Sequence, residues 1–291
     1  MTIAYLGNFS QQHCTENHVK KTLEKLGHNV IPIQENEATI EDVVILANES
    51  DLFLWTRTIG LLKFDGFEML NMIQVPTASL HLDLYAGITR EINLDEDPFW
   101  HTDYVFSPDG GSDELWKEKG INHIYLRAGV FEDECYLGKP RDEYKYDVIF
   151  VGSYGYHKEW PYRQFLVDWL ESTYGDRFKR FGPPDNVVRN GDLNDLYASA
   201  KVVVGDSLCP GFNHPEYWSD RVYETLGRGG FLIHPMIRGL EKEFKVNIFE
   251  DIELATYPYG NMIELKEEID HYLFNNEERE EVKMRGHEKV K

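Results

Sequence analysis

Glu216 and Glu224 are separated by seven residues in Glu216-Tyr-Trp-Ser-Asp-Arg-Val-Tyr-Glu224, and Thr225-Leu-Gly-Arg-Gly-Gly-Phe-Leu-Ile233 follows directly. Ser219 has the side chain of a helix N-cap, whose oxygen accepts a bond from an otherwise unpaired backbone N–H. A short helix over Asp220–Leu226 is therefore expected, ended by Gly227, Gly229 and Gly230, with Phe231–Ile233 as the next strand. Glu216 then lies in the loop entering the helix, and Glu224 lies within it. Such a helix start offers free N–H groups and a positive dipole to an anion, phosphate being the usual one. A carboxylate beside it accepts hydrogen bonds from hydroxyls, such as those of ribose or another sugar. The plain alternative for the same residues is an acidic surface helix before a buried strand.

Other candidates stand at strand ends. Gln74–Leu80 reads as a strand that delivers His81-Leu-Asp83 at its carboxyl end, where ligands bind in open α/β sheets. A satisfied interface histidine and an N-cap aspartate would look the same. Lys201-Val-Val-Val-Gly205 is β-branched, of the kind buried on both faces, and runs into Asp206-Ser207. Asp147–Val151 is another buried strand; Gly152, Ser153 and Gly155 follow it, with His157, Lys158 and Arg163 as the nearby cations. Asp109-Gly-Gly111 also follows a strand, where a sharp turn explains the glycines as well as a binding role does.

The elements that must position these residues repeat a β–α pattern. Strand Ile3–Leu6, a helix over Thr15–Leu26 with Val19, Leu23 and Leu26 on one face, and strand Asn29–Ile33 make a first β–α–β unit. A helix over Ile40–Asn48, strands at 51–55, 74–80, 104–107 and 123–126, and a helix over Asp113–Lys119 capped by Ser112 continue it. Arg90–Trp100, with Asp95-Glu-Asp-Pro98, reads as a solvated acidic loop. The charged stretch Glu132–Tyr146 reads as a linker, after which the pattern restarts. Pro161 suits the first turn of a helix over Tyr162–Ser172. Strand 177–181, helix 192–199, one or two short strands within 244–256, and helices 265–274 and 277–291 complete the chain. No full G-x-G-x-x-G follows the first strand, which argues against a tightly held dinucleotide there.

Trp218-Ser-Asp-Arg-Val222 with Glu224 and the glycine-rich turn resembles the donor-binding motif of GT-B glycosyltransferases. The resemblance is to the retaining type of the group 1 families, and more nearly to the CgeB-like (spore maturation protein) branch. It implies an α/β GT-B fold: two Rossmann-like domains with parallel sheets facing a central cleft. The domains would be 1–140 on the acceptor side and 141–275 on the donor side, followed by a C-terminal helix over 276–291; in the family the last helix often crosses back to the first domain, so either a further helical stretch or a short crossing element is expected. By resemblance Glu224 would hold the donor's ribose, Glu216 the donor sugar, and Arg221 would lie near the diphosphate. Gly152, Ser153, Asp206 and Ser207 would also line the donor site. Arg163 is the preferred phosphate cation, because a guanidinium binds phosphate in two-pronged fashion. The stretch His81–Gly87 resembles the histidine–aspartate loop facing the donor sugar, which would give His81 a sugar contact and make Asp83 its neighbour or a base candidate.

The implied reaction transfers a sugar from a nucleoside diphosphate sugar to an acceptor, with retention and without a metal or other cofactor. No Asp-x-Asp metal motif is placed at a strand end. A sugar-nucleotide epimerase and a non-catalytic nucleotide-binding module are the rivals on the same architecture. The acceptor stays open among a small molecule, a glycan and modified DNA. Net charge is −21, which disfavours duplex DNA and anionic membranes as partners. Three scattered cysteines form neither a disulfide framework nor a metal-ligand set and fit a reducing cytoplasm. The N-terminus goes straight into a strand without a secretory signal, and no apolar run is long enough to span a membrane.

Overall fold

The structure is a computed structural model that describes residues 1–57, 62–84, 94–155, 161–207, 216–246 and 251–291. The chain forms two compact units, Met1–Arg127 and Ala128–Lys291. In the first unit β1 (Thr2–Gly7), α1 (Thr15–Lys25), β2 (Asn29–Gln34), α2 (Ile40–Asn48), β3 (Leu52–Thr56), α3 (Gly66–Met72), β4 (Thr77–Leu80), β5 (Tyr104–Ser107), α4 (Asp113–Glu118) and β6 (His123–Tyr125) follow in order. The six strands are parallel in the order β2-β1-β3-β4-β5-β6. Alternation along the strands fills both faces. Ala4, Leu6, Phe53 and Trp55 join one core, and Ile3, Tyr5, Leu54 and Leu80 the other. Burial on both faces is what a wholly parallel sheet requires.

The second unit contains β7 (Val148–Val151), α5 (Tyr162–Tyr174), β8 (Phe178–Phe181), α6 (Gly191–Ser199), β9 (Val202–Val204), α7 (Arg221–Gly227), β10 (Leu232–Pro235), β11 (Ala255–Tyr257), α8 (Met262–Phe274) and α9 (Asn276–Val290). Its five strands are also parallel, in the order β11-β10-β9-β7-β8. Val148, Phe150, Val202 and Val204 face one core with α5 and α8, while Ile149 and Val203 face the other with α6 and α7. The charged stretch before β7 is strapped to α6. Asn194 donates to the carbonyls of Glu134 (2.9 Å) and Tyr136 (2.7 Å), and Asp195 accepts the Lys139 N–H at 2.7 Å. Among the described residues no helix is long and apolar enough to cross a membrane.

Two local expectations are corrected, and one helix was not anticipated. The described part of the acidic loop, 94–100, is not solvated: Leu94, Phe99 and Trp100 are buried in the first unit's core. Its charges point outward or are paired, Asp97 gripping Arg57 at 2.5 and 2.6 Å, so burial of the apolar residues and exposure of the acidic ones coexist. Ser112 occupies the N-cap of α4 but makes no side-chain cap bond. The helix α3 went unread because it is short; Asp65 caps it by accepting the N–H groups of Phe67 and Glu68.

Candidate functional site

In the second sheet β7 has β8 on one side and β9 on the other, so the winding direction reverses between β7 and β9. Side connections leave a crevice outside the carboxyl ends at such a point, where α/β proteins bind ligands. Gly152 and Ser153 follow β7 there, and Asp206 and Ser207 follow β9.

Arg163, in the first turn of α5, ties these two strand ends together. It is 6% exposed; its Nε donates to Asp206 Oδ2 at 2.8 Å and Nη1 donates to Ser153 Oγ at 3.3 Å. The preferred phosphate cation is thus a buried partner of Asp206. The other carboxylate oxygen, Asp206 Oδ1, is buried and accepts no hydrogen bond from the described residues.

Arg221 opens α7 and lies against Gly152. A Cβ at Gly152 would stand 3.5 Å from both Nε and Cζ of Arg221, ordinary van der Waals contact, so the guanidinium lies directly beside the Gly152 backbone. Burial works against the Arg221 charge, but Asp206, Asp220 and Glu224 outweigh it and raise its pKa. The helix N-cap is Asp220 rather than Ser219, although Ser219 Oγ still accepts the Arg221 N–H at 3.3 Å.

Glu224 follows Arg221 by three positions, on the same face of α7. Its side chain is 32% exposed and its Oε1 lies 3.5 Å from Arg228 Nε. Desolvation, then Asp220, pushes the Glu224 pKa up. Arg228 is buried and held by Asn194 Oδ1 (2.6 Å), the Asn190 carbonyl (3.0 Å) and Glu134. It ties the end of α7 to α6.

Glu216 sits with φ 63, in the left-handed region, which a glutamate occupies only under constraint. Its N–H donates to the Arg238 carbonyl at 2.8 Å and its carboxylate pairs with Lys242. Gly239 permits this approach, since a Cβ there would meet Glu216 Cγ at 2.6 Å. A non-glycine residue held in such backbone is a reason to ask what its side chain serves.

In the first unit His81 follows β4. Its N–H donates to the Phe106 carbonyl at 2.8 Å, and its ring packs edge-on to Trp100 at 5.3 Å. Asp83 accepts the Leu84 N–H at 2.9 Å, the local bond of a turn-forming aspartate. Asp109 is buried after β5.

Gly152, Ser153, Arg163, Asp206, Ser207, Arg221 and Glu224 are therefore gathered at one sheet edge or on the helix beside it, with Glu216 in the loop leading to that helix. His157 and Lys158 lie outside the described residues. Sequence reasoning missed Arg228 and His234. Arg228 was hidden within a glycine-rich turn read only as a helix stop. The signal for His234 was present: a histidine inside the apolar run Phe231-Leu-Ile-His-Pro235.

Residues 161–291 match the glycosyl transferase-like family. No curated protein sequence matches the chain. Among solved structures, an alpha-glucosyltransferase (AGT) in complex with UDP superposes with TM-score 0.71 at 11% identity, over 100% of this chain and 95% of that one. Anabaena HepE in complex with UDP gives TM-score 0.62 at 13% identity, over 99% and 94%. Sucrose-phosphate synthase from Thermosynechococcus elongatus gives 0.60 at 11%, over 100% and 94%. These likenesses give the GT-B fold over the whole chain, and the family match covers less than half of it, the C-terminal part that carries α5 and α7.

Proposed function

We propose that this chain, of the GT-B fold, is a glycosyltransferase that uses a uridine diphosphate sugar, held at the β7–β9 edge of its second sheet, and transfers the sugar to a small-molecule or glycan acceptor. The observation that carries the reading is the convergence of Gly152, Asp206 and Arg221 at the sheet's switch point, with Glu224 three positions along α7. A guanidinium beside an open glycine backbone can approach a diphosphate closely, and a carboxylate one helical turn away can accept ribose hydroxyls. The choice of uridine is supported by two relatives, the alpha-glucosyltransferase and HepE, which have been seen with UDP, HepE also with UDP-glucose.

In this reading Arg221 and backbone N–H groups stabilise charge as it develops on the leaving diphosphate, which is where fixed donors accelerate a reaction. No metal or other cofactor is invoked. Arg163 holds Asp206 rather than touching phosphate. Glu216 addresses the donor sugar. His81 and Asp83 serve the reacting sugar, with retention of configuration as the preferred outcome; an inverting reaction would make one of them the general base. We place the reaction in the cytoplasm, consistent with the free thiols Cys14 and Cys135.

Thermal unfolding with UDP, GDP, ADP, CDP and dTDP and their sugars tests the reading. A ligand at a hundredfold its dissociation constant should add about 2.7 kcal/mol. UDP and one UDP-sugar are expected to shift the transition, and Glu224→Ala should reduce the shift while leaving the unliganded transition near wild type. Absence of a shift with every nucleotide, in a folded sample, would remove the donor site.

A further inference from the structure

His234 belongs to none of the groups assigned so far. It lies in β10 with no exposed surface. Gly205 gives the ring its space, since a Cβ there would come within 3.3 Å of His234 Cδ2. The Nδ1 atom is 2.8 Å from the Pro235 carbonyl, which can only accept, so Nδ1 carries the proton. The Nε2 atom of the neutral ring is then an acceptor, and Ser207 Oγ donates to it at 2.9 Å. Ser207 Oγ in turn accepts the backbone N–H of Ser219 at 2.8 Å. Ser219 Oγ accepts from the Arg221 N–H at 3.3 Å and from Arg221 Nη1 at 3.5 Å. Ser219 Oγ itself donates to Asp220 Oδ1 at 2.9 Å, so Ser219 joins Arg221 to Ser207 and the imidazole through its backbone, its N–H donating to Ser207 Oγ and Ser207 Oγ donating onward to Nε2.

We infer that His234 is a positioning residue for donor binding: as the buried acceptor at the end of this relay, it fixes the Ser219 backbone and so the place of Arg221. The inference rests on the proposed donor site. Its physical basis is that a hydroxyl can donate in only one direction. With Nε2 accepting, the Ser207 lone pairs face the Ser219 N–H. Without that acceptor the Ser207 proton must find another partner, and the entrance to α7 loses its anchor to the ends of β9 and β10. Asp206 and Arg221 are the charged groups that face the ring. They also belong to the site, so a displaced ring disturbs the binding edge itself.

Two substitutions at His234 separate positioning from packing. In His234→Gln the amide oxygen can take the place of Nε2 and accept from Ser207. In His234→Asn the shorter side chain reaches the Nδ1 position and leaves Ser207 without its acceptor. The dissociation constant of UDP, measured on folded protein, is expected to rise about tenfold in His234→Asn, the scale for a buried polar group left unsatisfied, and to return close to wild type in His234→Gln. Ser207→Ala should weaken UDP similarly and should add little on top of His234→Asn, because both remove the same link. A purely structural role would lower the unfolding temperature of the variants without this split in affinity. If UDP binds wild type and both His234 variants equally, the inference is wrong while the donor site stands. If the His234 variants do not fold, Ser207→Ala decides: unchanged UDP affinity there overturns the relay. If wild type itself binds no UDP, the donor site falls and the inference with it.

Discussion

Arg163 and Arg221 stand at the same sheet edge, but their surroundings give them different work. Arg163 is buried against Asp206, and removing one member of a buried pair leaves the other charge uncompensated. Arg163→Ala is therefore expected to cost about 3–5 kcal/mol of stability, read as a lowered unfolding midpoint in denaturant. Arg221→Ala should instead weaken UDP binding and leave most of the stability in place; equal effects of the two variants on binding alone would refute this division. His81→Ala is expected to lower turnover more than UDP affinity, and an unchanged rate would return His81 to packing against Trp100. The buried His234 imidazole also predicts a pH effect. Burial pushes its pKa down from 6.5 to about 4, so the unfolded chain takes up the proton first. Its contribution is fully kept above pH 6.5 and is lost as pH falls towards about 4. The loss should approach about 3 kcal/mol, from 1.36 kcal/mol per unit over this interval. Comparing urea midpoints of wild type and His234→Gln between pH 7 and 4 isolates this from the many carboxylates; parallel pH profiles would contradict it.

At the scale of elements, α7 is placed by what packs on its two ends. Its entrance is bound to the ends of β9 and β10 through Ser207 and His234, and its exit is bound to α6 through Arg228 and Asn194. Its last turn meets α9 at two glycines. A Cβ at Gly227 would come within 2.9 Å of Val130 and 3.3 Å of Val290, and one at Gly286 would lie 2.5 Å from the Glu253 carbonyl and 2.8 Å from Leu226. Gly286→Val should therefore force α9 off this surface, at about 1–3 kcal/mol for overpacking. A lower unfolding temperature with faster proteolysis near the C-terminus is the expected reading, whereas an unaltered transition would mean that α9 is not seated on α7 in solution. This docking explains why α9, whose sequence is strongly polar, still buries Gly286 and His287, while Arg279 and Val282 are buried on the α8 side.

For the whole molecule, the charge of −21 constrains the acceptor. The alpha-glucosyltransferase of the same fold has been seen with a 13-mer DNA. Phosphate contacts dominate DNA affinity and depend on released counterions, so a strongly acidic chain begins from net repulsion. No saturable binding of duplex DNA is expected by fluorescence anisotropy at low ionic strength. Tight binding that fell steeply with added salt would point to a local basic surface and reopen modified DNA as acceptor.

The sequence by itself determined most of the elements and their parallel arrangement. Its β-branched and apolar runs at 3–6, 52–55, 148–151 and 202–204 can be satisfied only inside a sheet covered on both sides, and the helical periodicities between them supply the cover. It also located the residues that gather at the β7–β9 edge, because strand ends and the glutamate-bearing helix are local features. Tertiary structure decided what those residues do to one another. Arg163 and Asp206 are 43 positions apart, and Ser207 and His234 are 27 apart. Their pairing depends on strand order and on which side chains face inward, neither of which is written in local spacing. The same holds for the acidic stretch before Phe99: its charge suggested water, while the buried positions of Leu94, Phe99 and Trp100 became visible only once a sheet existed for them to cover. Short-range chemistry is legible along a chain, but a buried charge acquires its role from a partner that the fold must first bring to it.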